Sequence, residues 1–140
     1  MATDDELPRE HIRRILLDRP EACVDVSVEL LRSFSESLGN IIGDDGFRSL
    51  LFRAARRVSA EYPWLEAYPA AMQSDPDYAV FRQCFEARSA ADTQSATTRL
   101  FTGLIDILAS LVGAHLTNII LENAVARASA RKNGKEQDNG

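Results

Sequence analysis

His115, Asn118 and Glu122 come nearest, by type and spacing, to a reactive constellation in this 140-residue chain. They sit at three- and four-residue intervals in Thr98 to Arg127, TRLFTGLIDILASLVGAHLTNIILENAVAR, a run otherwise almost entirely apolar or small. An imidazole near a carboxylate can ligate a metal or move a proton, and geometry tests both roles. Seven residues of helix rise about 10.5 Å, so His115 and Glu122 of one helix cannot share a small ion. Asn118 is a poor transition-metal ligand, no second histidine follows at HxxxH spacing, and His11 would have to come from another helix. Acid–base catalysis needs a nucleophile or substrate pocket beside the imidazole, and nothing nominates one. The expectation is a protein that is not an enzyme and holds neither metal nor cofactor.

Three other roles for His115 stay open. A core histidine would hydrogen-bond to Asn118 or to a backbone carbonyl, since burying it unpaired costs about 1–3 kcal/mol. If two copies pack antiparallel through this run, His115 of one faces Glu122 of the other, a polar pair that sets register and responds to pH. The third is a ligand pocket for haem or a small apolar molecule between His115 and the aromatic loop of 61–77, although no haem-attachment motif accompanies it. That loop, EYPWLEAYPAAMQSDPD, carries three prolines with Tyr62, Trp64 and Tyr68. Residues before proline are pushed out of the helical region, so at most one short turn is expected there. Its expected place is over the end of a bundle, as a lid on the core.

Charge and thiols narrow the partners. A net charge of −5 disfavours nucleic acid, which requires a basic surface. Met1 to Asn40 holds nine acidic residues against five basic ones. Arg53, Arg56 and Arg57 form the one concentrated basic patch of the folded part, read as a solvated face pairing with that acidic segment or as a site for an acidic partner. Cys23 and Cys84 have no CxxC spacing, and the charged start MATDDELPRE is unlike a signal peptide. Reduced thiols in a cytoplasmic protein follow, with both cysteines as small core fillers. Leu100 to Leu121 is long enough to span a bilayer, but Asp106, His115 and Asn118 interrupt it and the flanks lack anchors. No membrane span is expected.

The elements that must position these residues read as helices. Asp4 or Asp5 caps a short first helix with Leu7, Ile12, Ile15 and Leu16 inward. Pro20 opens a second, whose stripe Cys23, Val26, Leu30, Leu31, Phe34, Leu38 and Ile41 ends at Gly39 or Gly43. Asp44-Asp45-Gly46 starts a third with Phe47, Leu50, Leu51, Ala54 and Val58 inward. Asp75-Pro76 restarts a helix through Phe81 and Phe85, and SAADTQSATT is either a loop or the polar beginning of the last helix. On that last helix the side opposite the leucines carries Gly103, Asp106, Ser110 and Gly113, so it is wanted on two faces.

The expected fold is all-α: one domain over 1–130, about five helices around a long central C-terminal helix, then a disordered polar tail at 131–140. The expected function is that of a small regulatory or adaptor module working by protein association. It would be a homodimer through 98–127, with Gly103, Asp106, Ser110, Gly113, His115, Asn118 and Glu122 as contact candidates.

Overall fold

The computed structural model describes residue 10 and residues 12–16, 22–74 and 77–139, with side chains as far as Ala128 apart from Gln73. The expectations at Asp4, Asp5, Leu7, His11, Pro20 and Asp75-Pro76 lie outside the described residues. The protein is an all-α bundle, with no strand among the described residues. A short helical stretch over 12–16 buries Ile12 and Leu16, as their spacing predicts.

The first long element, α1 (Cys23–Glu61), has 39 residues and would be about 58 Å long if straight. It is not straight. The Cys23 Sγ lies 3.2 Å from Thr97 Oγ1, while Glu61, at the other end, pairs with Arg99 at 2.9 Å. Two residues of one helix thus meet both ends of α1, so α1 doubles back. The reversal is at Gly43, with φ 82° and ψ 163°, a region that only glycine occupies without strain. Its limbs are 23–42 and 44–61. Gly39, the other expected terminator, stays inside the first limb.

After α1 the chain makes a 3-10 turn (Pro63–Leu65), α2 (Ala67–Ala71), a second 3-10 turn (Met72–Ser74) and α3 (Ala79–Phe85). This corrects the expectation of at most one short turn. Proline is tolerated in the first turn of a helix, where its missing N–H costs nothing, so Pro63 opens one short helical piece and Pro69 sits in the first turn of another. The segment is also no lid over an end. It runs antiparallel beside the second limb of α1, with Pro63 near Ala60 and Met72 near Arg48.

The last hairpin is α4 (Ala90–Val112) and α5 (Ala114–Asn139). Ser89 caps α4, its hydroxyl accepting the Asp92 N–H at 3.1 Å, so SAADTQSATT forms the polar first turns of that helix. The single long helix expected through 98–127 is overturned: Gly113 breaks it with φ 87° and ψ 164°. A straight continuation would carry Arg127 about 39 Å beyond Phe101. Instead Phe101 stacks on Phe34 at 5.8 Å and Arg127 pairs with Glu36, two residues further on, at 3.2 Å. Two helical hairpins therefore pack together, each turning on one glycine, with both corners at the same end. The backbone stays helical to Asn139, so residues 131–139 prolong α5 where a disordered tail is expected.

The core takes residues from all four limbs, among them Phe34 and Leu38, Leu51 and Ala54, Leu104 and Leu108, and Leu121 and Ala124. Among the described residues, α4 is long and apolar enough to cross a membrane by length and composition. Its stripe of Leu100, Phe101, Leu104, Ile105, Ile107 and Leu108 is buried against the bundle, which accounts for that apolarity.

Candidate functional site

The glycine corners decide which polar residues can act. A continuous helical wheel places His115 inside the apolar arc of Leu104 and Leu108. The break at Gly113 gives α5 a new axis and a new phase, so His115 and Glu122 come out exposed, while Asn118 is buried and partnered. His115 is therefore not a core histidine. Thr117 is buried, and its hydroxyl donates to the Gly113 carbonyl at 2.7 Å.

The small-residue side of α4 is open at its glycines. A Cβ added at Gly103 would meet nothing within 4 Å, and the same holds at Gly113. Asp106 and Ser110 are exposed, the Ser110 hydroxyl being turned back to the Ile107 carbonyl at 2.7 Å. Asp106 of α4 and Asn118 of α5 are each partnered, while Ser110, His115 and Glu122 are exposed.

What gathers at the corner end is apolar surface. Ile41 is 51% exposed and Leu111 60% exposed, although each is the next position of a core stripe, after Phe34 and Leu38 in one limb and Leu104 and Leu108 in the other. The stripes run past the point where the bundle has partners for them. On α5, Ile119 is 42% exposed and stands between His115 and Glu122 on one line of the helix. Sequence reading missed these positions as surface residues. The usable signal was their proximity to a helix-ending glycine, because a stripe residue one turn from a corner runs out of neighbours.

A second feature lies beside the second limb of α1. Arg53, Arg56 and Arg57 are exposed as expected, and Arg48 joins them. Phe52, off the buried stripe and 38% exposed, sits between Arg48 and Arg56 at four-residue spacing, with the Arg56 guanidinium 5.7 Å from its ring centre. Two grooves of about 550 and 360 Å³ meet at Phe52, walled by the limb and by the Pro63–Met72 segment. Phe52 was legible too: an apolar residue among arginines, away from the core stripe.

The aromatic residues do structural work. Tyr68 is buried and meets Phe81 edge-on at 5.0 Å; Trp64 meets Phe85 at 5.3 Å and Tyr62 at 5.7 Å, and Arg88 covers its ring at 5.0 Å. Tyr62 and Trp64 follow Glu61, which pairs with Arg99 near the start of α4. His115 follows the end of α4, about 24 Å of helix away. These residues do not form a common pocket with His115, and neither groove touches it. Among the described residues no three His, Cys, Asp or Glu side chains cluster as a metal site.

Cys23 is fully buried, and burial pushes its thiol above the ordinary value, partly offset by hydrogen bonds with Thr97 and Ser27. The Thr97 hydroxyl also lies 2.8 Å from the Thr93 carbonyl, to which it donates. A raised thiol pKa in the folded state stabilises the fold below the unfolded value, and that contribution is lost as the pH rises through the folded one. Alkylation of the native protein with iodoacetamide at pH 8 is expected to label half-buried Cys84 well before Cys23, as read by peptide mass spectrometry; equal rates would contradict the buried thiol.

No protein-family model matches the chain, and no curated protein and no solved structure is similar to it.

Proposed function

We propose that this protein is a non-enzymatic helical association module, cytoplasmic and soluble, that works as a homodimer through its corner end. The observation that supports this most is the exposure of Ile41, Leu111 and Ile119 there, three large apolar side chains of which two prolong core stripes. Burying such side chains contributes about 1.5–3 kcal/mol each before the cost of association. The exposed line His115, Ile119, Glu122 suits a two-fold axis. With two α5 helices antiparallel about a point near Ile119, each His115 faces the Glu122 of the other copy, and Ile119 lies beside the axis. The polar pairs then set register, and the isoleucines supply the apolar contact.

The test is sedimentation equilibrium between about 5 and 200 µM, a range suited to an interface this small. The mass is expected to rise with concentration from 15.5 kDa toward twice that value. The double variant Leu111→Glu/Ile119→Glu should stay monomeric with an unchanged helical circular dichroism spectrum. A wild-type protein that remains a single 15.5 kDa species throughout the range ends the dimer reading.

A further inference from the structure

The groove beside Phe52 is chemically unlike the rest of the surface. Where arginines link the helices of this bundle they are matched to carboxylates: Arg82 to Asp25, Arg99 to Glu61 and Arg127 to Glu36. The limb 44–61 departs from that pattern. From Arg48 to Arg57 it carries four arginines and no acidic residue, in a chain whose net charge is −5. Arg48 and Arg56 line the groove, and neither has a carboxylate partner among the described residues although Asp45 and Glu66 line it as well. Arg56 lies against an aromatic ring instead.

Apolar side chains stand in the groove beside these charged ones. Phe52 stands at the junction of the two grooves, Met72 faces it in the smaller one, and Pro63 and Pro69 wall the larger. From Asp45 to Ala60 the limb rises about 22 Å, the length of six or seven residues of extended chain. We infer that this groove docks an acidic peptide segment of a partner protein, carrying an apolar side chain against Phe52 and carboxylates toward Arg48 and Arg56. Guanidinium groups recognise carboxylates in paired hydrogen bonds, and an aromatic anchor beside arginine is the composition of binding hot spots. Asp45 and Glu66 repel acidic residues placed off register. Nucleic acid fits less well, because the overall negative charge opposes it and the groove offers a single aromatic platform. This inference is independent of the dimer, since the groove and the corner residues Leu111 and Ile119 are different surfaces.

The experiment is selection of a displayed library of random decapeptides on the full chain, followed by fluorescence anisotropy with the enriched peptide. Enriched peptides are expected to combine several Asp or Glu residues with an aromatic or branched apolar one. Amidating the carboxylates (Glu to Gln, Asp to Asn) should weaken binding about tenfold or more, as should Arg48→Glu/Arg56→Glu. Phe52→Ala should weaken it about fivefold or more while leaving the thermal midpoint in place, because Phe52 is already partly in water. Binding should also fall between 50 and 300 mM salt. Enrichment of neutral or basic peptides, or no enrichment, overturns the inference. So does equal binding of oligoglutamate or single-stranded oligothymidylate, which would reduce the groove to a general anion patch. Running the same titration on the Leu111→Glu/Ile119→Glu monomer separates the two proposals: loss of dimerisation alone leaves the peptide affinity within about twofold.

Discussion

Phe81→Ala is expected to destabilise the protein by about 3–5 kcal/mol, the largest loss from any single side chain considered. Phe81 is completely buried and is the hub of the aromatic cluster, with ring centres at 5.0 Å to Tyr68, 4.9 Å to Phe85 and 6.4 Å to Tyr78. Removing it takes away the transfer energy of a phenyl ring and leaves a cavity whose walls are other rings. Edge-to-face aromatic contacts add about 0.5–1.5 kcal/mol per pair beyond the area they bury. The walls cannot close in cheaply, because Tyr68 belongs to α2 and Phe85 to α3, and both elements are tied to the bundle by other contacts. Urea unfolding of the variant checks the value. Phe81→Leu should recover more than half of the loss, since it refills most of the volume without the edge-on pairs. A cost below about 1 kcal/mol for Phe81→Ala would mean that the cluster is not packed as described.

Gly43→Ala and Gly113→Ala should each cost about 1–3 kcal/mol, through the backbone and not through contacts. Both residues have φ above 80° and ψ above 160°, where a Cβ is strained whatever surrounds it. The space around each is open, with nothing within 4 Å of an added Cβ. Size should therefore hardly matter: Gly113→Leu is expected to fall within about 0.5 kcal/mol of Gly113→Ala. A helix pressed against this residue would give the opposite result, a cost that grows with each added carbon. Because a Cβ at either corner meets nothing within 4 Å, the double variant should show additive losses of about 2–6 kcal/mol. Thermal or urea unfolding of the two singles, the double and the leucine variant decides between strain and packing.

The helical class and the first hairpin were legible because periodicity and punctuation agree there. The stripe from Cys23 to Leu38 is followed by Gly43 and then by Asp44 and Asp45, which favour a new helix start. The second hairpin was hidden by its own composition. Leu111-Val112-Gly113-Ala114 holds no charge, proline or capping side chain, so glycine as a small helical residue and glycine as a corner read alike. Carrying the phase through Gly113 places His115 within the apolar arc, although it is exposed. The 62–74 segment failed differently, since its prolines limit local geometry but do not say against which limb the short turns will pack. The arginine face was read correctly from the helical wheel, while the groove beside it depends on a neighbour that only tertiary structure supplies.

The single-residue corners also determine where the chain can be cut or extended. Most helical bundles accept a nick or an inserted tag at their turns, because a loop there can unravel without disturbing the helices. Here, among the described residues, the corner end has no such slack. The first hydrogen bond of α5, from the Thr117 N–H to the Gly113 carbonyl, begins at the residue whose N–H still caps α4 on Ala109. An inserted residue would have to unwind one helix or the other. Among the described residues, the exposed link of Glu86 to Ser89, at the far side of the fold and with Ala87 at φ 63°, is the place where a protease or an engineered insertion meets the least resistance.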